Sequence, residues 1–468
     1  MSISADGDAT LDAPESGEVE PAEPEQLALV LVWARDEPER VGEVLLTSDE
    51  PAWFGREAGT NSDPRLRLIR QRPGSNEPAA PLDNPFLSRR HLLIQKIDED
   101  TLSLSCHGKR RLRVGPRDFE QLTLRRGEVF ELSGLYAFLC TGRPRRMDVG
   151  LVNHDFGAVD AAGIVGESPA AWELRRRTAF VAARDAHVLV TGQSGTGKEL
   201  VARAIHDGSS RQRRSLVARN AATLPSGLID AELFGNLANY PHAGMPERPG
   251  LVGQADSGTL FLDEFGELPA DLQAHLLRVL DGGEYQRLGD AKPRTANLRL
   301  IAATNRDVAE LKHDLVARLA LRVHVPGLGE RVEDVPLIAR HLIQQIAQKD
   351  PSLGERYLRD WDGKNGEPRF SARLARSLVL HDYSTHVREL AGLLWRSLQS
   401  SSGGVLELTD ELRSLLPEPA PRRPMGEITA DELEAALARH GGVKDRVWRD
   451  LGLSSRHVLL RLMRKLGQ

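Results

Sequence analysis

One stretch, Val188-Leu189-Val190-Thr191-Gly192-Gln193-Ser194-Gly195-Thr196-Gly197-Lys198-Glu199, constrains this chain more than any other. Val188–Val190 reads as a buried strand. A glycine-rich turn follows, and Leu200, Val201, Ala204 and Ile205 continue at helical spacing. Gly192, Gly195 and Gly197 let main-chain N–H groups close around phosphate oxygens, at a helix N-terminus that already favours anions. Lys198 carries a mobile positive charge to the outer phosphates. The spacing Gly-x4-Gly-Lys, in this strand–turn–helix context, is that of a P-loop, which makes Gln193, Ser194, Thr196 and Leu200 nucleotide-contact residues too. Glu199 stands where a Ser or Thr would offer Mg²⁺ a hydroxyl.

Two further apolar runs, Leu260–Leu262 and Leu298–Ala303, turn polar only at their carboxyl ends, as Asp263-Glu264 and Thr304-Asn305. Helical patterns such as Trp172–Ala183 separate or precede these runs. Parallel strands are therefore expected, with ligand groups along one edge of an α/β sheet. Asp263 then holds Mg²⁺, and Glu264 orients and deprotonates the attacking water. Asn305 is placed to sense the outermost phosphate, with an Asx-turn as its structural alternative.

The remainder falls into separate pieces, as 468 residues predict roughly three domains. The net charge of −5 creates no whole-molecule attraction for nucleic acid, so such contact must be local. Two cysteines, Cys106 and Cys140, lack metal-ligand spacing and fit a reducing compartment. The sequence shows no basic-then-apolar leader and no apolar run of membrane-spanning length, so a soluble cytoplasmic protein without membrane partners is expected.

Residues 1–26 carry eight acids and no Lys or Arg, and are expected to be a disordered tail. From 27 to 147, short apolar runs at Leu27–Trp33, Val44–Leu46, Leu92–Ile94, Leu102–Leu104, Val129–Leu132 and Tyr136–Cys140 predict a β-sandwich. Gly55-Arg56 and Ser88-Arg89-Arg90-His91 fall on its loops, where two arginines and a serine can hold a phosphate. This pattern resembles the forkhead-associated (FHA) domain. The resemblance implies phosphothreonine-peptide binding by Arg56, Ser88 and Arg89, with His91 bracing the loop. His107-Gly108 stands where that family usually has Asn-Gly. The alternative is a sandwich used only for protein contact.

Residues 148–163 read as a linker and 164–333 as the α/β nucleotide subdomain, with Val165 and Gly166 at its start also assigned to nucleotide. A helical lid is expected over 334–412 and a Pro/Arg-rich linker over 413–428. The final segment, 429–468, is all-α. Thr429-x-x-Glu432 is a capping box, Gly441-Gly442 ends the first helix, and Gly452 precedes a third carrying Arg456, His457, Arg461, Arg464 and Lys465. A basic helix after a glycine turn suits a major groove, with Ser455, Arg456, His457 and Arg461 as DNA contacts.

Together the P-loop, Ala231-Glu232-Leu233-Phe234-Gly235 and Ala255–Glu264 resemble the AAA+ domain of bacterial sigma-54-dependent transcriptional activators, and the end is similar to their Fis-type helix-turn-helix. The resemblance implies ATP and Mg²⁺ at the interfaces of a homo-oligomeric ring, bound to upstream promoter DNA and acting on sigma-54 RNA polymerase. Glu199 is shared with that family. Asn220 matches the asparagine that restrains the catalytic glutamate, and Val387-Arg388-Glu389-Leu390 matches the sensor II helix, with Arg388 facing nucleotide. Two departures stand out. Asn239-Tyr240-Pro241-His242-Ala243-Gly244 replaces the Gly-Ala-Phe-Thr-Gly-Ala loop that grips the sigma factor. Of two arginines that reach a neighbour's ATP, Arg318 keeps one place and Lys312 takes the other, which loses the planar fork. The expected activity is therefore an ATPase regulator of transcription. The alternative is a switch that binds ATP and DNA without hydrolysis or sigma-54 remodelling.

Overall fold

The structure is a computed structural model that describes residues 25–56, 64–82, 84–132, 134–225, 227–240, 242–416, 428–442, 444–453 and 456–466. The acidic segment, all but its last two residues, lies outside them, as does most of the expected linker 413–428. Among the described residues the amino-terminal region is a two-sheet sandwich. One sheet runs in the order Ser75–Pro78 (β5), Ile69–Arg72 (β4), Val44–Leu46 (β2), Glu25–Ala34 (β1), Tyr136–Pro144 (β12), Val129–Leu132 (β11), Leu112–Val114 (β8) and Arg117–Phe119 (β9). The other runs Gln121–Arg125 (β10), Thr101–Cys106 (β7), Leu92–Lys96 (β6) and Ala52–Phe54 (β3). All the pairings are antiparallel.

β1 is buried almost throughout, which explains why it reads as a continuous apolar run rather than an alternating one. Leu27, Leu29 and Leu31 enter the core between the sheets with Phe130, Phe138 and Cys140. On the outer face, Val32, Ala137 and Leu139 pack instead against Val379 and Leu380 of the helical lid. The sandwich thus has a second buried face.

In the middle region five parallel strands form one sheet in the order Leu216–Asn220 (β14), Thr259–Asp263 (β15), Arg299–Thr304 (β18), Val188–Thr191 (β13) and Leu321–His324 (β19). The three runs read from sequence are the adjacent central strands, and the two edge strands are additions. Helices Pro169–Ala182 (α1), Lys198–Asp207 (α2), Ile229–Phe234 (α3), Gly250–Gln254 (α4), Ala270–Gly282 (α5) and His313–Arg318 (α6) accompany the sheet. Between α5 and β18 lies a short hairpin, Glu284–Tyr285 (β16) with Arg294–Thr295 (β17).

The lid comprises Val335–Lys349 (α7), Pro351–Tyr357 (α8), Ala372–Leu380 (α9), His386–Ser400 (α10) and Asp410–Leu415 (α11), with a small ladder of Leu358–Arg359 (β20) and Glu367–Pro368 (β21). It extends past the expected boundary. Thr409 caps α11, and Leu412 and Leu416 are buried in the lid core, so residues 413–416 belong to the lid rather than to a linker. The segment 148–163 is likewise no loose connection: the His154 carbonyl accepts from Arg72, and Gly157 N–H donates to the Glu167 carboxylate.

Ala430–Arg439 (α12), Lys444–Asp450 (α13) and Arg456–Lys465 (α14) enclose a small core of Leu433, Val447, Leu459 and Leu462. The capping box forms both ways: Glu432 N–H donates to Thr429 Oγ1 at 3.2 Å, and Thr429 N–H to Glu432 Oε2 at 3.1 Å. Among the described residues, no helix is long and apolar enough to cross a membrane.

Candidate nucleotide site

The carboxyl ends of β13 and β15 open into a cavity of about 580 Å³. Sequence dictates its floor. Gly192, Gly195 and Gly197 have φ of +155°, +82° and +101°. At Gly195 a Cβ would lie 2.2 Å from the Thr385 carbonyl oxygen, so this position admits only glycine without moving the lid. Thr196 Oγ1 donates to the Gln193 carbonyl at 2.9 Å and ties the turn. Lys198, 5% exposed, donates to the carbonyls of Gly192 at 3.1 Å and Gln193 at 3.3 Å, and lies 3.9 Å from Glu264 Oε1. Its ammonium therefore rests in the mouth of its own loop, beside the carboxylate that faces it.

Asp263 and Glu264 line the same cavity with Asn220. Glu264 N–H donates to Asp263 Oδ1 at 2.9 Å, and Glu264 itself adopts the left-handed conformation, φ 50° and ψ 42°. Such backbone is uncommon for a side-chain-bearing residue and concentrates at functional sites. Asn220 caps the next turn, its Oδ1 accepting from Ala222 N–H at 2.9 Å. Asp263 suits Mg²⁺, which takes one or two carboxylates and completes its shell with phosphate oxygens and water.

The lid closes the other side. Arg388 donates to Ser194 Oγ at 3.1 Å, and Val387 N–H to the Gly195 carbonyl at 3.1 Å. Val165, Glu199 and Leu200 line the cavity, and Gly166 adjoins it with φ +130°. Asn305 lies at the exposed end of β18, outside the cavity lining. Arg318 lies outside it as well, paired with Asp281 at 2.7 Å.

Sequence reasoning missed Arg331 and His386. Arg331, 6% exposed, lines the cavity; it donates to the Val165 carbonyl at 3.3 Å and buries an Nε without a hydrogen-bond partner. Burial lowers its pKa from the usual arginine range, with Asp334 opposing. His386, at φ 49°, meets Gln193 Oε1 at 2.5 Å across the lid–loop junction. A lone arginine or histidine in sequence carries no such signal, though the helix starting at His386 is legible.

On the sandwich, Arg56 and the Ser88-Arg89 loop meet through backbone: Arg56 N–H donates to the Ser88 carbonyl at 3.1 Å. Gly55 permits this, since a Cβ there would lie 2.2 Å from the Arg89 carbonyl oxygen. His91 is fully buried. Its Nδ1 accepts from Ser88 N–H at 3.0 Å and its Nε2 faces the Arg110 carbonyl at 2.9 Å. Burial lowers its pKa, with the bond to Arg110 opposing, so the neutral ring with hydrogen on Nε2 fits both bonds. Gly108 presses on that ring, where a Cβ would come within 2.3 Å.

At the base of the replaced loop, Asn236 is fully buried and its Nδ2 donates to the carbonyls of Leu237 and Pro246, with the Tyr240 carbonyl sharing a hydrogen at 3.3 Å. Tyr240 lies against Gly289 of the β16–β17 turn, and Pro241 is outside the described residues. So is Ser455; Arg456, His457 and Arg461 fall on α14, but their side chains are outside the description.

This fold and site define an AAA+ P-loop module. The model for the Sigma-54 interaction domain matches residues 164–325. The chain is 34% identical over 315 residues to Transcriptional regulatory protein ZraR of Escherichia coli (strain K12), spanning 64% of this chain and 68% of that protein. It is 39% identical over 259 residues to Anaerobic nitric oxide reductase transcription regulator NorR of Aeromonas salmonicida (strain A449), spanning 53% and 48%. The crystal structure of NtrX from Brucella abortus in complex with ATP aligns at 29% identity and a TM-score of 0.46, over 65% of this chain and 69% of that one. The chain belongs to the sigma-54 activator family of transcriptional regulators.

Proposed function

We propose that the central module binds and hydrolyses ATP at the interfaces of a ring, and that hydrolysis drives sigma-54 RNA polymerase from upstream promoter DNA. One observation carries this reading: a single cavity gathers Gly195–Lys198, Asn220, Asp263, Glu264 and the lid residue Arg388. Lys198 neutralises the outer phosphates. Asp263 holds Mg²⁺, which when bound offsets the charge that develops on the phosphoryl oxygens. Glu264 orients the attacking water and takes its proton, while Asn220 restrains that carboxylate. Arg318, exposed and paired with Asp281, is proposed to act in a neighbour's site. Asn305, outside the cavity lining in this structure, is proposed to sense the outermost phosphate from its strand end.

The sandwich is proposed as an FHA-like reader of a phosphothreonine-bearing protein through Arg56, Ser88 and Arg89; their approach to one another supports it. The basic third helix is proposed to read DNA through Ser455, Arg456, His457 and Arg461 in Fis-type fashion.

The test is ATP turnover by the full chain with promoter DNA and sigma-54 polymerase. Glu264→Gln is expected to lower turnover by about 10²–10⁴, the worth of a positioned general base, while ATP binding persists. Turnover equal in parent and variant would remove Glu264 from the chemistry. A second reading, an ATP- and DNA-binding switch that hydrolyses nothing, is favoured by Tyr240 packed on Gly289 in place of the family's gripping loop, and by Lys312. Open-complex formation at a sigma-54 promoter separates the two, because the switch forms none at any ATP concentration.

A further inference from the structure

The sandwich and the nucleotide module share a buried polar seam. Arg143, 1% exposed on β12, lies 3.3 Å from Glu333 Oε2 and donates to the Glu167 carbonyl at 3.1 Å. Arg72 on β4 donates to Glu167 Oε1 at 2.9 Å. Glu167 also accepts from Trp172 Nε1 at 3.1 Å and from Gly157 N–H at 2.7 Å.

The seam ends on the nucleotide cavity. Glu167 is two residues beyond Val165, and Glu333 two residues beyond Arg331; Val165 and Arg331 both line the cavity and bond each other. Asp334 locks these two segments together. Its Oδ1 accepts from the N–H groups of Glu167 and Ser168 at 2.8 and 3.0 Å, and its carboxylate presses on Gly166, where a Cβ would come within 2.4 Å. Two short wall segments, 165–168 and 331–334, are thus held from behind by two arginines of a different domain.

We propose that Arg72 and Arg143 are positioning residues of the nucleotide site, so that this seam sets how tightly the cavity holds ATP. This rests on the reading of the cavity as an ATP site. By linkage the coupling is reciprocal: nucleotide tightens the sandwich against its seat by the same factor. A second contact supplies an internal control. Trp33 Nε1 donates to the Phe370 carbonyl at 2.8 Å, joining sandwich and lid where neither residue lines the nucleotide cavity.

The test is calorimetric ATP affinity of the full-length protein, with its melting temperature recorded alongside. Arg143→Gln and Arg72→Gln are expected to weaken ATP by about 3- to 30-fold, the range of coupling energies carried by packed networks. Trp33→Phe is expected to lower the melting temperature without changing ATP affinity. Arg143→Lys, which keeps the charge, restores part of the affinity and serves if the glutamine variants do not fold. Seam variants that melt earlier yet bind ATP like the parent would overturn the proposal and leave the ATP site standing. Absence of ATP binding in the parent would remove both.

Discussion

Two regions of this chain are proposed to offer cationic groups to an oxyanion, and they are built on opposite plans. The P-loop relies on main chain: its three glycines hold positive φ, its helix begins at Lys198, and one lysine completes it. The sandwich rim relies on side chains, Arg56 and Arg89, mounted on loops that touch only because Gly55 leaves room for the Ser88-Arg89 backbone. A main-chain cradle is specified by contiguous residues. A side-chain clamp depends on whatever holds its loops together, here the buried His91 ring and Gly108 above it.

The sharpest way to break this contrast is at the lysine. If the main-chain cradle needs only one charge to work, Lys198→Ala is expected to weaken ATP by about 10- to 100-fold, the worth of a hydrogen bond to a charged group at a buried site. Calorimetry reads this directly. The fold is expected to survive, because Lys198 bonds only carbonyls of its own loop and lies near Glu264. Retention of parental affinity would show that the amides alone suffice.

A second effect is expected at the rim, and it tests support rather than charge. Gly108→Ala places a methyl within 2.3 Å of the His91 ring, which is held on both nitrogens and has nowhere to go. Overpacking of this kind costs about 1–3 kcal/mol. Urea unfolding should register the loss, and affinity for a phosphothreonine peptide should fall with it although Arg56, Ser88 and Arg89 are untouched. A variant that loses stability but binds peptide normally would place the phosphate-reading function elsewhere.

The same contrast explains what was legible in the sequence. The central strands ending at Thr191, Asp263 and Thr304 were readable because parallel strands buried on both faces are unbroken apolar runs. The edge strands β14 and β19 were not: Ala218, Arg219, Arg322 and His324 are half-buried or exposed, and their pattern resembles a turn. The residues of the P-loop were readable in place, since their geometry is local. Arg72, Arg143, Glu167 and Glu333 were invisible as a group. Each alone resembles an ordinary surface charge, and only the docking of two domains makes them a buried seam.

That seam yields one further predicted effect, and it is one of pH. Glu333 faces Arg143, Asp334 and Glu25; burial, only partly offset by Arg143, pushes its carboxyl from the ordinary 4.5 up to about 7. Between pH 4.5 and 7 the folded protein therefore holds a proton that the unfolded chain has released. Stability then rises as pH falls through this window, by at most about 1.4 kcal/mol per unit for one group. Burial raises Asp334, Glu43, Glu131 and Glu367 as well, and it lowers His91, His154, His187, His206 and His341, whose protonation favours the unfolded chain as pH falls, so the parent slope is the sum of both sets. Glu333→Gln carries no titrating proton and should remove its share of the gain on acidification, read as the difference between variant and parent urea midpoints at about pH 5, 6 and 7. An unchanged slope would mean that Glu333 stays ionised against Arg143, and that the seam is an ion pair throughout the neutral range.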